Sequence, residues 1–139
     1  MPDSWRRKNE SGKVNNEKPI IFIVDDDPAV RSSLKFSLEL EGYLVRLCAN
    51  AAALLGEPDL SQSRCLVIDL RLPGMDGLDL LDELRRRDIT APAVLITSHP
   101  SRRTRERAAR EGVPIVEKPL LGNVLSDSIR SAIAMPPGP

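Results

Sequence analysis

Aromatic residues are scarce in this chain. Trp5, Phe22, Phe36 and Tyr43 are the whole set, so no aromatic side chain is available to pack, stack or move beyond position 43. Cysteine is nearly as rare. Cys48 and Cys65 each sit in an apolar, strand-like run, and two cysteines make no disulfide framework; buried free thiols are expected. The single histidine, His99, lacks the partners a zinc site needs. Twenty basic and twenty acidic residues leave a formal net charge of zero, which excludes a global field drawing the chain to nucleic acid or an anionic membrane. No apolar stretch approaches the length of a membrane span. The first 18 residues are polar and basic, with no apolar core of the kind secretion signals carry, so a cytoplasmic protein is expected.

What is present is an ordinary globular composition. With 139 residues, 41% hydrophobic and 29% charged, the chain suits one domain with one core. Four apolar runs each end on polar residues suited to a phosphoryl group. Ile20-Ile21-Phe22-Ile23-Val24 runs into Asp25-Asp26-Asp27, and Cys65-Leu66-Val67-Ile68 into Asp69. Ala93-Val94-Leu95-Ile96 runs into Thr97-Ser98, and the run from Val113 to Val116 into Glu117-Lys118-Pro119. Such runs read as strands of a parallel sheet buried on both faces. In an open parallel sheet the active crevice lies outside the carboxyl ends of the strands, so these polar residues converge on one pocket.

The pattern divides the chain into an N-terminal extension over residues 1–18, a folded domain over 19–134 and a frayed, Pro-rich tail over 135–139. Within the extension, Trp5-Arg6-Arg7-Lys8 is read as part of a solvated tail rather than a docking patch. The domain reads as five strand–helix units. Strands are expected over 19–24, 43–48, 65–69, 92–97 and 113–117, with the second at a sheet edge. Asp27 reads as a helix N-cap, with Pro28 as the first helical residue; Val30, Leu34 and Leu38 follow at helical spacing, and Gly42 ends the helix. A short helix is expected over 51–55. Leu78, Leu81 and Leu84 mark the next one, with Asp76 as its cap. A basic helix over 101–111 carries Arg102, Arg103, Arg105, Arg107 and Arg110, and a last helix over 121–134 has Val124, Leu125, Ile129 and Ile133 as its buried stripe. Strands alternating with helices imply a doubly wound parallel α/β sheet with helices on both faces.

The chemistry follows from the constellation. Carboxylates crowded in one pocket repel one another unless a cation is present. Asp25, Asp26 and Asp69 form an all-oxygen set, which favours a hard cation, with Mg²⁺ the best fit. Lys118 adds a mobile positive charge, and the Thr97 hydroxyl offers a donor, ahead of Ser98. Phosphoryl transfer needs mainly positioning and charge neutralisation. These parts supply both, and one carboxylate must be the nucleophile. Asp69 is the best candidate, because it ends a central strand and the Pro-Gly-Met-Asp-Gly turn leaves room above it.

The segments Val24-Asp25-Asp26-Asp27-Pro28 and Asp69-Leu70-Arg71-Leu72-Pro73-Gly74-Met75-Asp76-Gly77, with Thr97 and Glu117-Lys118-Pro119, resemble those of receiver domains in bacterial two-component response regulators. The resemblance covers about residues 19–134. It implies a flavodoxin-like sheet of strand order 2-1-3-4-5, which separates the strands bearing Cys48 and Cys65. It implies that Asp69 takes a phosphoryl group from a phosphohistidine on a sensor histidine kinase or histidine phosphotransfer protein. It places Mg²⁺ on Asp26, Asp69 and the backbone carbonyl of Arg71, with Asp25 acting through water. It pairs Lys118 with Asp69 and then with the phosphoryl group, and makes the Lys118–Pro119 peptide cis. Such a domain is not a dedicated enzyme but catalyses its own phosphorylation and dephosphorylation on aspartate. Arg71 and His99 occupy the two positions that border the incoming water in this family, and are expected to tune the lifetime of phospho-Asp69.

In one respect the chain departs from the family. Many receivers carry Tyr or Phe in the fifth strand as a mobile reporter; the corresponding residue here is Ile115, and no aromatic follows Tyr43. The first expectation is a single-domain response regulator signalling by phosphorylation-dependent protein interaction. Its effector would dock on the face formed by residues 101–134, and no nucleic acid or membrane partner is expected. The alternative is a phosphoryl shuttle or sink in a phosphorelay. A piece of a larger regulator also fits. A haloacid-dehalogenase-type phosphatase ranks below these. Asp25-Asp26-Asp27 matches that family's Asp-x-Asp spacing, but the acidic pair due after the lysine is missing, with Asp127 alone on a helix, and Asp69 is left without a role.

Overall fold

All five expected strands form, and they lie parallel in the order β2-β1-β3-β4-β5. They are β1 (Ile20–Val24), β2 (Leu44–Cys48), β3 (Ser63–Asp69), β4 (Ala93–Thr97) and β5 (Ile115–Glu117). The helices between and after them are α1 (Pro28–Leu40), α2 (Ala51–Leu55), α3 (Gly77–Arg86), α4 (Arg102–Arg110) and α5 (Val124–Ala134). The structure, a computed structural model, describes residues 18–120 and 122–135. Most of the expected extension, with Trp5-Arg6-Arg7-Lys8, and most of the expected tail lie outside the described residues.

The alternating pleat divides the core between two faces. Phe22, Val24, Leu66, Ile68 and Leu95 pack with Leu54 of α2, Leu80 and Leu84 of α3 and Ala108 of α4. Ile21, Ile23, Val67, Val94 and Ile96 pack with Leu34 and Leu38 of α1 and Leu125 and Ile129 of α5. Each such fully buried aliphatic side chain contributes about 1.5–3 kcal/mol. The central strands are buried on both faces, which is why they read as unbroken apolar runs. Cys48 and Cys65 fall in opposite clusters and are free thiols. Burial pushes Cys65 up to about 12 and Cys48 up to about 11. Among the described residues no helix is long and apolar enough to cross a membrane.

Three starts differ from expectation by two residues or more, and β3 is one of them, beginning at Ser63 rather than Cys65. β5 starts at Ile115 rather than Val113: the Val113 N–H donates to Ala108 at the end of α4 and Pro114 has no N–H, so neither can donate to the ladder. α5 starts at Val124 rather than at Leu121, which lies outside the described residues; Gly122, at φ 61°, is left-handed and cannot be part of the helix. Its buried stripe is Leu125, Ser126, Ile129 and Ala132, while Val124 is exposed and Ile133 only partly buried. The stripe is therefore rotated from the apolar one expected, because Ser126 turns inward and donates to Glu41 beyond α1.

Candidate functional site

The strand ends converge as the topology demands. β1 and β3 are neighbours, so the residues that follow Val24 lie beside Asp69. Carboxylate oxygens of Asp25, Asp26 and Asp69 fall within 4.8 Å of one another. Asp25 and Asp69 are buried and Asp26 is exposed. Lys118, just past β5, reaches across with Nζ 3.1 Å from Asp69 Oδ2 and 3.1 Å from Asp25 Oδ2. An open pocket of about 390 Å³ above them is lined by Asp26, Asp69, Arg71, Ser98, His99 and Lys118.

Local structure holds each carboxylate. Asp25 Oδ1 accepts from the Asp27 N–H at 2.9 Å, and Asp27 in turn caps α1 by accepting from Ala29 N–H. Asp69 Oδ1 accepts from the Arg71 N–H at 3.1 Å, which brings the Arg71 peptide beside the candidate acceptor. Asp76 caps α3 through the Asp79 N–H, as expected, and does not line the pocket. The Lys118–Pro119 peptide is cis, and the Lys118 N–H donates to Thr97 O at 2.8 Å, tying β5 to the end of β4.

The charges are unevenly balanced. Burial pushes the Asp69 carboxyl above the ordinary aspartate range, and the Asp25 charge adds to this; hydrogen bonds from Lys118 and Arg71 oppose it. Burial works against the Lys118 ammonium, yet its hydrogen bond to Asp69 and the negative charges of Asp69 and Asp25 hold it above the ordinary lysine value. Lys118 hydrogen-bonds Asp69 Oδ2, but its contact with Asp25 Oδ2 is charge to charge, and that buried oxygen has no hydrogen-bond donor among the described residues. One ammonium therefore serves two buried carboxylates, with a third beside them. A hard, oxygen-seeking cation fits this donor set.

Thr97 stands where expected, at the end of β4 and buried, but its hydroxyl donates to Ser98 O at 3.3 Å and is not among the pocket-lining groups. Ser98 and His99 line the pocket instead, and His99 adopts φ 48°, a left-handed conformation uncommon outside glycine. Asp127 sits exposed on α5, paired with Arg130, so it offers nothing to the pocket. Sequence reasoning missed three contributors. Arg31 donates from Nη1 to Asp25 O at 2.7 Å. Gly77 packs so closely under the end of β3 that a Cβ there would stand 2.6 Å from Asp69 O. The pairing of Lys118 with Asp25 joins residues far apart in the chain and leaves no local pattern. Only Gly77 left a trace, in the turn motif ahead of α3.

The basic helix is less free than its composition implies. Arg107 pairs with Asp79 and Asp82 of α3 and with Glu111, Arg105 with Glu117 of β5, and Arg102 with Glu106.

Comparison with known proteins agrees with this geometry. The family model for the response regulator receiver domain matches residues 21–130. The transcriptional regulatory protein FixJ of Bradyrhizobium diazoefficiens is 37% identical over 115 residues, covering 81% of this chain and 56% of that protein. The C4-dicarboxylate transport transcriptional regulatory protein DctD of Pseudomonas aeruginosa is 35% identical over 118 residues, covering 81% of this chain and 25% of that protein. The crystal structure of the receiver domain of NtrX from Brucella abortus superposes with a TM-score of 0.74 at 29% identity, covering 84% of this chain and 99% of that one. The chain thus spans a quarter to just over half the length of these two curated relatives, but nearly all of the solved receiver domain.

Proposed function

The chain belongs to the response regulator receiver domain family, and from that premise we propose that it takes a phosphoryl group on Asp69 from a phosphohistidine of a sensor histidine kinase or histidine phosphotransfer protein. The observation that carries this reading is the sharing of Lys118 between the buried carboxylates of Asp25 and Asp69 at the mouth of an open pocket. An Asp69 carboxylate oxygen attacks phosphorus; the new O–P bond forms as the N–P bond of the donor breaks, and the imidazole leaves with the electron pair. Asp26, Asp69 and the Arg71 carbonyl would hold Mg²⁺, with Asp25 acting through water; the ion supplies charge neutralisation on the phosphoryl oxygens. Lys118 moves its charge from the free carboxylates to the phosphoryl group. Thr97 turns its hydroxyl from Ser98 O to a phosphoryl oxygen. Reversal by water restores Asp69 and releases phosphate, and Arg71 and His99, which line the pocket, set how readily water arrives.

The domain spans residues 19–134, works in the cytoplasm, and reports its state by protein interaction through the face built from residues 101–134. A shuttle or sink is the second reading. It is favoured by Ile115, a half-buried aliphatic residue of β5 where many receivers place a mobile aromatic. Two assays separate these readings from a phosphatase. Phosphoramidate, which carries an N–P bond, should phosphorylate the protein with Mg²⁺, whereas a generic phosphomonoester should not be turned over. Steady turnover of the monoester without a stable phosphoprotein would overturn the proposal.

A further inference from the structure

Leaving β1, the chain must turn into α1 within three residues while presenting two carboxylates to one side. The polar groups of Asp25 are assigned almost completely in that turn. Its N–H donates to Cys48 O at 3.1 Å, its Oδ1 accepts from Asp27 N–H at 2.9 Å, and its carbonyl accepts from Arg31 Nη1 at 2.7 Å. Arg31 also donates its backbone N–H to Asp27 O at 3.0 Å, so one residue of α1 grips both ends of the Asp25–Asp27 segment.

The carbonyl that Arg31 holds belongs to the peptide joining Asp25 to Asp26. Rotating that peptide would swing the Asp26 side chain relative to Asp69. A charge-assisted hydrogen bond in a partly buried setting is short and about twice as strong as a neutral one, which suits it to fixing such a plane. The choice of acceptor matters as well. A guanidinium bonded to a carboxylate would occupy oxygens that a cation needs. Bonded to the carbonyl, it places positive charge at the Asp25–Asp26 peptide and leaves the Asp26 carboxylate exposed to the pocket.

We propose that Arg31 is a positioning residue that pre-organises Asp25 and Asp26 for a divalent cation without touching the cation or the phosphoryl group. The inference rests on reading the acidic cluster as a Mg²⁺ site. Outer-shell partners of metal ligands are typically worth about ten- to a hundredfold in metal affinity.

The test is Mg²⁺ titration of the whole chain by calorimetry, comparing wild type with Arg31→Met and Arg31→Lys, alongside the rate of phosphorylation by acetyl phosphate across Mg²⁺ concentrations. Arg31→Met should bind Mg²⁺ about tenfold more weakly, at the low end of that range. Arg31→Lys, which keeps a charged donor, should recover part of the loss. At saturating Mg²⁺ both variants should phosphorylate at the wild-type rate, since the defect lies in ion binding alone. Equal Mg²⁺ affinity in wild type and Arg31→Met would overturn the inference while leaving the site intact. So would a rate that stays low at saturating Mg²⁺. Should Arg31→Met not fold, Arg31→Lys and Arg31→Gln carry the comparison: Arg31→Gln should bind Mg²⁺ more weakly than Arg31→Lys, and equal affinity would overturn the inference. Wild type that bound no Mg²⁺ would overturn the site reading itself, and this inference with it.

Discussion

The pocket and the α4 face are built from the same residue types, acids and bases, yet they are different kinds of structure. At the pocket, Asp25 and Asp69 are buried and share one ammonium, and their surroundings leave them short of positive charge. On α4 one cation again meets several acids, Arg107 facing Asp79, Asp82 and Glu111, but those acids are partly exposed to solvent, and Arg105 faces Glu117 with both side chains about half exposed. Buried charges interact strongly, and each unmet contact is costly; exposed pairs are screened and worth little. The pocket therefore stores an unsatisfied demand for positive charge that a cation can answer. The α4 face stores almost none.

The comparison can be broken or sharpened at several points, in decreasing order of expected effect. Lys118→Ala removes the ammonium that serves the two buried carboxylates; phosphorylation by acetyl phosphate should slow at least about a hundredfold, as for loss of one preorganised donor to a developing charge. A rate near wild type would show that the pocket does not depend on Lys118. Gly77→Ala places a methyl 2.6 Å from Asp69 O and 2.9 Å from Ile68 Cγ2, so the end of β3 must shift. The expected loss is about 1–3 kcal/mol in denaturant unfolding, with slower phosphorylation, and an unchanged midpoint would contradict the tight packing under Asp69. By contrast, Arg105→Ala on the α4 side should cost at most about 1 kcal/mol, and less still in high salt. A larger loss would mean that the α4 pairs are as deeply coupled as the pocket.

The thiols mark the floor of the scale. With Cys65 pushed up to about 12 and Cys48 up to about 11, neither forms an appreciable thiolate near neutral pH. Native protein at pH 8 should resist iodoacetamide, and protein unfolded in guanidinium should react at both cysteines. Rapid labelling of the native chain would show that these strands open.

What was legible in the sequence was what local chemistry or continuous burial writes there. Central parallel strands appear as apolar runs because both faces are covered, and their polar ends name the site. Asp27 and Asp76 read correctly as caps because an N-cap bonds within three residues. Contacts that depend on the fold were not legible. Nothing near Lys118 says that it meets Asp25, and nothing near Arg105 or Arg107 says that acids of β5 and α3 await them. Hydroxyl direction is equally silent: Thr97 was placed correctly, yet its donor faces Ser98 O. The first residues of β5 were misread because Val113 is apolar, while its N–H belongs to the close of α4.

The most direct test of the phosphoacceptor assignment is mass spectrometry of wild type and Asp69→Asn after incubation with acetyl phosphate and Mg²⁺. Wild type should gain one phosphoryl group that hydroxylamine removes, as an acyl phosphate requires, and Asp69→Asn should gain none. No uptake by wild type, or uptake that survives in Asp69→Asn, would contradict it.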